Sequence, residues 1–195
     1  MSDANGDLNA FVHLDAERAL ATAETVDRAV VAGHCHELGP LAGVPFGVKD
    51  LEDCSGMPTT RGSRWFANAP SKTVDAIHGA RLRAAGAVPI GKTAAPEIGA
   101  WADTASPLWG VTRNPWDTSR TPGGSSGGSS AAVSSGMVPF CTASDAGPEP
   151  VPALLRRQCH RTVAMACRTR SGVSIWGMCP VAGSTSKRAP SMAAA

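Results

Sequence analysis

The run of eight small residues "GGSSGGSS", residues 123–130, constrains the fold more than any other stretch of the 195-residue chain. By composition it could be a flexible linker, because Gly/Ser linkers behave as random coils. Its flanks argue against this, since "NPWDTSRTP" precedes it and the alanine-rich "AAVSSG" follows it. Glycines allow close backbone approach, and serines at a helix start cap the helix or project hydroxyls into a site. The run therefore predicts a functional loop that leads into a small-residue helix ending at Gly136.

Helical periods and short apolar runs alternate along the first three quarters of the chain. Residues 15–32 predict an amphipathic helix capped by Asp15 and ended by Gly33, and residues 73–85 predict a second helix. The stretches "LAGVPFGVKD", "AVPIG" and "MVPFCTASD" predict short apolar strands. This alternation predicts a layered α/β domain.

Charge and cysteine content restrict the class of protein. Residues 1–147 contain 11 Lys and Arg and 15 Asp and Glu, whereas residues 148–195 contain 7 and one, so the net charges are −4 and +6. No apolar run approaches the roughly 20 residues that span a bilayer, and the N-terminus lacks the pattern of a secretory signal. The six cysteines form no CxxC pair, and the "HCH" of His34 and His36 is too short to complete a metal site. We expect a cytoplasmic protein without a metal and without membrane association.

The stretch "GAVPIGKT", from Gly86 to Thr93, matches the P-loop expression GxxxxGK[ST]. A P-loop needs a strand before its first glycine and backbone N–H groups that wrap a phosphate. Here a predicted helix precedes Gly86, the middle residues are those of a buried strand, and Pro89 lacks an N–H. A nucleotide-binding module remains the alternative function, and otherwise Lys92 is expected to be an ordinary loop lysine at a strand end.

The stretch "GVPFGVKD" places a single lysine, Lys49, at the end of an apolar strand, directly before Asp50. A surface lysine paired with a neighbouring carboxylate is the simpler interpretation. However, a lysine that emerges from a buried strand is unusual, because burial disfavours the charged amine. A lysine whose pKa is lowered in this way can act as a base.

These pieces together resemble the amidase signature family. The resemblance is carried, in order, by "GVPFGVKDLEDCSGMPTTRGS", "AAGAVPIGKTAAPEIGAWADT" and "GVTRNPWDTSRTPGGSSGGSSAAVSSGMVPFCTASDAG", and it covers roughly residues 8–147. It implies an α/β fold with a mixed sheet flanked by helices. Members of the family are longer than this chain, so residues 1–147 are expected to be the N-terminal part of such a domain.

The resemblance implies a Ser–cis-Ser–Lys triad that hydrolyses an amide through an acyl-enzyme, without a cofactor. By motif position, Lys49 would be the catalytic lysine and Ser125 the cis-serine that relays a proton to the nucleophile. A serine hydroxyl is a weak nucleophile and needs such an adjacent base. The backbone N–H groups of the turn that contains Ala146 and Gly147 would form the oxyanion hole. The implied partner is a small-molecule amide.

The match breaks where the family continues with a second glycine and the nucleophilic serine. The chain has Pro148 and Glu149 at these two positions. Glutamate cannot be activated by loss of a hydroxyl proton as serine can. In addition, Pro148 has no N–H, and the loss of one oxyanion donor typically lowers the rate by about 10²–10³. Ser144 lies too early in the turn to substitute simply. We expect this exact chain to be inactive as an amidase.

The composition changes at the same point, because arginine becomes common and acidic residues almost disappear. We expect residues 148–195 to be an aberrant, irregular basic tail, and a reading-frame shift near Gly147 would explain it. A second alternative function is a nucleic-acid binder that uses this tail. Its contacts would be Arg156, Arg157, Arg161, Arg168 and Arg170. It is disfavoured because aromatic residues do not interleave these arginines, and we expect no nucleic-acid partner.

Overall fold

The computed structural model of the protein describes residues 2–144, 164–169 and 172–175. Its helices are α1 (Ser2–Leu8), α2 (Ala16–Val31), α3 (Ile77–Ala84) and α4 (Gly127–Ser134). Its strands are β1 (Phe11–Leu14), β2 (Pro45–Lys49), β3 (Val88–Thr93), β4 (Ala105–Ser106), β5 (Gly110–Val111), β6 (Phe140–Ala143), β7 (Ala164–Thr169) and β8 (Gly172–Ile175).

Six strands form the main sheet, in the order β1-β3-β2-β6-β7-β8. Its centre is parallel, since β2 pairs with β3 and with β6, and β6 pairs with β7 in the same direction. The edge strands β1 and β8 pair antiparallel. Strands β4 and β5 form a separate two-stranded ribbon. The predicted α/β fold with a mixed sheet flanked by helices is confirmed.

Strand β2 divides its side chains between two apolar clusters, because successive residues of a strand point to opposite faces. Phe46 and Val48 pack with Leu82 of α3 on one face. On the other face, a Cβ added to Gly47 would lie 2.8 Å from the sulfur of Cys141. Cys141 belongs to the second cluster, which includes Ala131 and its neighbours in α4. We call these the α3 face and the α4 face of the sheet.

The first predicted helix is confirmed as α2, with Asp15 accepting the N–H of Arg18 at 3.4 Å and Gly33 in the left-handed region at φ +79°. However, the apolar stripe of α2 is not buried against any of the residues that the structure describes. None of the α2 residues is buried, and Leu20 and Val30 are 65% and 49% exposed.

The second predicted helix begins later than expected, at the start of α3. The preceding residues are held in a turn, because the Asp75 carboxylate accepts the N–H of Ser55 at 2.7 Å and the Ala76 N–H donates to the carbonyl of Asp53 at 2.8 Å. These bonds to another segment replace the first helical turn. The sequence therefore overestimates the helix by one turn.

Helix α1 and strand β1 were not predicted, and Asn5 explains how they are joined. Its Oδ1 accepts the N–H groups of Ala10 and Phe11 at 3.0 and 2.7 Å, and its Nδ2 donates to the Phe11 carbonyl at 3.0 Å. One side chain thus fixes the turn between the two elements. The two elements are only 7 and 4 residues long, which is too short to show a clear apolar period in the sequence.

Strands β7 and β8 lie within the segment 148–195, for which the sequence predicts an irregular tail. Strand β7 extends the parallel part of the sheet, with Phe140 opposite Ala164 and Ala143 opposite Cys167. The other residues of this segment are outside the described residues, so the prediction of a separate aberrant tail stays a prediction. None of the helices within the described ranges is long and apolar enough to cross a membrane.

Candidate active site

Lys49 is the last residue of β2, and its position in the strand sends its side chain to the α4 face. Lys49 and Gly47 are two positions apart in the strand, so they point to the same face, and a Cβ on Gly47 would lie against the α4 cluster. Val48, between them, points to the α3 face. Lys49 is 0% exposed. Its own N–H donates to the Thr142 hydroxyl at 2.9 Å, which ties the end of β2 to β6. A lysine is rarely buried so completely unless its amine has partners.

The serines that precede α4 supply such partners. The Lys49 Nζ lies 2.8 Å from the Ser125 Oγ and 2.8 Å from the Ser126 Oγ. The peptide bond between Gly124 and Ser125 is cis, and α4 begins two residues later, at Gly127. The predicted pair Lys49 and Ser125, which are 76 positions apart in the chain, is therefore brought into hydrogen-bond contact.

The glycines of the run are required by close packing rather than by flexibility. A Cβ on Gly128 would lie 2.3 Å from the Ala94 nitrogen and 2.5 Å from the Ala94 oxygen, and one on Gly127 would lie 2.2 Å from the Thr104 Oγ1. The N–H of Gly128 donates to the Ala94 carbonyl at 3.2 Å, and that of Gly127 donates to the Thr104 hydroxyl at 3.0 Å. The N-terminus of α4 is thus pressed against the chain that leaves β3. The linker interpretation is excluded.

The end of β6 completes the described part of the site with backbone groups of Ser144. Its carbonyl accepts from the Lys49 Nζ at 2.8 Å and from the Ser126 hydroxyl at 3.0 Å, and its N–H donates to the Ser126 Oγ at 3.3 Å. Sequence reasoning missed Ser126, although the serine doublet was the available signal. It treated Ser144 only as a poor substitute nucleophile, whereas the backbone of this residue is what meets the lysine.

The remaining predicted site residues lie outside the described residues. These are Ala146 and Gly147 of the expected oxyanion loop and Glu149 at the nucleophile position. The tail arginines Arg156, Arg157, Arg161 and Arg170 are outside as well, and for Arg168, in β7, only the backbone is described. The roles expected for these residues stay predictions.

The P-loop match does not form a phosphate cradle. Val88–Thr93 is strand β3, and Gly86 ends α3 at φ +92°. Lys92, expected to be a loop lysine, lies within the strand and is 0% exposed, because its amine has internal partners. It donates to the Glu52 carbonyl and to the Thr59 hydroxyl. The nucleotide-binding alternative is not supported.

The two buried lysines lie on opposite faces of the sheet. Paired residues of neighbouring strands point to the same face of a sheet. Lys92 is paired with Val48, so its side chain lies on the α3 face, whereas Lys49 is paired with Thr93. The Lys92 Nζ lies 3.8 Å from the Asp50 Oδ1. Burial lowers the pKa of Lys92, and the nearby Asp50 carboxylate opposes this shift.

The other described features are weaker candidates for a functional site. A surface cavity of about 350 Å³ is lined mainly by residues 59–72, including Arg61, Arg64 and Trp65, and contains neither lysine of β2 or β3. Within the described ranges, no group of three or more His, Cys, Asp and Glu residues could hold a metal ion. The contacts among Lys49, Ser125, Ser126 and Ser144 are therefore the arrangement that calls for a chemical explanation.

Comparison with known proteins identifies the family. The family model described as Amidase matches residues 1–148. The chain belongs to this family. A glutamyl-tRNA(Gln) amidotransferase subunit from Mycolicibacterium gilvum (strain PYR-GCK) is 41% identical over 187 residues, which is 95% of this chain and 36% of that protein.

Solved structures give the same result. A structure described as an unexpected vestigial protein complex that reveals the origins of an s-triazine catabolic enzyme has a TM-score of 0.65 at 42% identity, and the match covers 69% of this chain and 29% of that chain. A 6-aminohexanoate cyclic dimer hydrolase complexed with substrate has a TM-score of 0.64 at 35% identity, covering 72% and 27%. The chain thus spans about a third of the length of the relatives that it matches.

Proposed function

We propose that this chain carries the lysine–serine half of an amide-hydrolysing site, in which Lys49 is the base and Ser125 the proton relay. The complete reaction would convert an amide and water into a carboxylate and ammonia or an amine, by way of an acyl-enzyme. The observation that supports this most is the distance of 2.8 Å between the Nζ of the fully buried Lys49 and the Oγ of the half-buried Ser125. A candidate base must lie within hydrogen-bond reach of the proton that it takes, and this pair meets that requirement.

The proposed proton path uses the hydroxyl of Ser125 as a bridge. A neutral Lys49 amine accepts the Ser125 proton while Ser125 accepts the proton of the nucleophilic serine, whose oxygen forms a bond to the substrate carbonyl. The proton then returns along the same path to the leaving nitrogen as the C–N bond breaks. Water repeats the sequence on the acyl-enzyme and releases the carboxylate. Ser126 and the Ser144 carbonyl hold the amine in place during both steps.

We further propose that the chain as it stands does not complete this path, because the nucleophile position holds Glu149. A carboxylate has no hydroxyl proton to pass to Ser125, and Pro148 removes an N–H from the turn expected to stabilise the oxyanion. The relay would then be present without the group that it serves.

The experiment is a repair of the nucleophile position. The wild-type chain and the Pro148→Gly/Glu149→Ser variant are incubated with a serine-directed fluorophosphonate and, separately, with a simple amide. We expect no reaction with the wild type and labelling at position 149 in the variant. Adding Lys49→Ala or Ser125→Ala to the repaired chain should abolish the labelling, whereas Lys72→Ala, at a partly exposed lysine that pairs with Asp53, should leave it unchanged.

Two results would contradict the proposal. Amide turnover by the wild-type chain that is lost in Lys49→Ala would show that Glu149 does not disable the site. Labelling of the repaired chain that survives both Lys49→Ala and Ser125→Ala would show that the pair is not the base and relay.

We also propose that the reading frame departs from the family near Gly147 and returns before the chain ends. The family model stops at residue 148, yet the Mycolicibacterium relative aligns with 95% of the chain and therefore well beyond that point. A shift that persisted to the C-terminus would leave no such similarity. The coding DNA should show two compensating insertions or deletions, and their absence would refute the idea.

A further inference from the structure

The structure contains a second buried lysine that the proposed reaction does not use. Lys92 lies in β3, next to β2, and its side chain is on the face opposite to that of Lys49. Burial of an amine is unfavourable unless acceptors surround it. The described partners of Lys92 come from the segment that follows Lys49: the amine donates to the Glu52 carbonyl and the Thr59 hydroxyl, and it forms an ion pair with the Asp50 carboxylate at 3.8 Å.

Asp50 is the centre of this arrangement. Its carboxylate accepts the N–H of Thr60 at 3.0 Å, the hydroxyl of Thr60, and the N–H of Gly62 at 3.4 Å. Its carbonyl accepts the N–H of Arg61 at 3.0 Å. The chain that leaves β2 is thus folded back over Asp50, and Lys92 connects it to β3.

Because Asp50 directly follows Lys49, the same contacts fix the point at which β2 ends. The Asp50 N–H donates to the Thr93 carbonyl at 3.0 Å, and Thr93 is the Cα partner of Lys49. If this end of the strand moved, the Lys49 backbone would move with it, and its Nζ would leave the serines on the α4 face. The two lysines are therefore mechanically linked through one strand end.

We propose that Lys92 and Asp50 are a positioning pair, which holds the end of β2 so that the Lys49 Nζ stays in contact with Ser125. The proposal rests on the proposed function, since it assigns a role to the position of Lys49. Lys92 itself contacts neither Ser125 nor Ser126 and takes no part in proton transfer. It acts through Asp50 and the backbone of β2.

The test measures the exposure of the Lys49 amine directly, without catalysis. The sequence contains four lysines, so acetylation by acetic anhydride can be followed for each by peptide mass spectrometry. In Lys92→Met and in Asp50→Asn, the rate at Lys49 should rise about tenfold, as expected for a tenfold larger population of locally open chain. The rate at Lys72 should not change. Since the two residues act together, the double variant should react no faster at Lys49 than the faster single variant.

A control separates positioning from general loss of stability. Asn5→Ala removes the bonds that join α1 and β1, and β1 is the neighbour of β3, so this variant loosens the same side of the sheet without removing a contact of Lys92 or Asp50. All rates are compared at urea concentrations that give equal free energies of unfolding. If Asn5→Ala raises the Lys49 rate as much as Lys92→Met does, or if Lys92→Met leaves that rate unchanged, the positioning role is wrong.

A milder variant covers the case in which Lys92→Met does not fold. Thr59→Val keeps the shape of the side chain and removes one acceptor, 3.1 Å from the Lys92 Nζ. It should raise the Lys49 acetylation rate by a smaller factor, and an unchanged rate contradicts the proposal. Failure of the repaired chain to react with fluorophosphonate would count against the proposed function only, because acetylation of Lys49 requires no hydrolysis.

Discussion

Gly128→Ala should destabilise the protein although alanine is the better helix former. The new Cβ would lie 2.3 Å from the Ala94 nitrogen and 2.8 Å from the Ala10 oxygen, whereas real Cβ atoms keep at least 3.0 Å. The N-terminus of α4 would have to move by about 0.7 Å, the difference between 3.0 and 2.3 Å. Both neighbours are backbone atoms in or next to the sheet, so they cannot turn aside as a flexible side chain could.

The magnitude follows from three contributions. Overpacking of a well-packed site costs about 1–3 kcal/mol, and weakening of the bond from the Gly128 N–H to the Ala94 carbonyl costs about 0.5–1.5 kcal/mol. The higher helix propensity of alanine offsets about 1 kcal/mol of this. The expected net loss is about 2 kcal/mol in the free energy of unfolding.

Urea unfolding followed by far-UV circular dichroism measures this loss, as a lower midpoint with an unchanged slope. The matched control is Gly6→Ala, because Gly6 lies in a helix, α1, and a Cβ there would meet nothing within 4 Å. That variant should be as stable as the wild type or up to about 1 kcal/mol more stable. A Gly128→Ala variant of wild-type stability would refute the close-packing argument for the glycine run.

Three further predictions concern stability. Burial raises the pKa of Cys141 to about 12, so above about pH 9 the unfolded chain loses a proton that the folded chain keeps. The free energy of unfolding should therefore fall by up to about 1.4 kcal/mol per pH unit. Between about pH 8 and about pH 10, urea unfolding should show a smaller fall in Cys141→Ala than in the wild type. Ser129→Ala removes the hydroxyl that lies 2.7 Å from the Thr93 hydroxyl and should lower the free energy of unfolding by about 1–3 kcal/mol. Asn5→Ala leaves the Phe11 N–H without its acceptor and should cost about 1–2 kcal/mol, measured in the same way.

The elements that the sequence predicted well are those whose signals are local. Helix α2 has a cap at Asp15, a stop at Gly33 and a 3.6-residue period, and β2 is an apolar run that ends in a charge. Helix α4 begins within the run, at Gly127, and the glycines of the run already indicated close approach. Each of these features is specified within a single continuous stretch of the chain, at most the 19 residues from Asp15 to Gly33, so no knowledge of distant contacts was needed.

What the sequence did not predict depends on contacts between distant segments. Lys92 has the same local pattern as a surface lysine at a strand end, and its buried amine is balanced by partners that lie 33 to 42 positions earlier in the chain, the hydrogen-bonded Thr59 and the ion-pair partner Asp50. Ser126 resembles its neighbour Ser125, and only the approach of the Lys49 amine shows that both hydroxyls are used. Even the pairing of Lys49 with Ser125 came from the family resemblance rather than from spacing.

The contacts that hold Lys49 and the loop of Ser125 are formed by separate parts of the sheet and of α4, and this makes the repair experiment reasonable. Lys49 is held from behind by the Asp50 and Lys92 pair and from the side by Thr142 of β6, while packing at Gly128 fixes the loop that carries Ser125. All of these residues precede residue 145, and the later segment meets them through strand β7, which pairs with β6 and places Ala166 opposite Thr142. Changing the two residues at positions 148 and 149 would supply a nucleophile to the proposed relay, whose Lys49 and Ser125 are already in contact, and the Lys49→Ala control decides whether that relay is used.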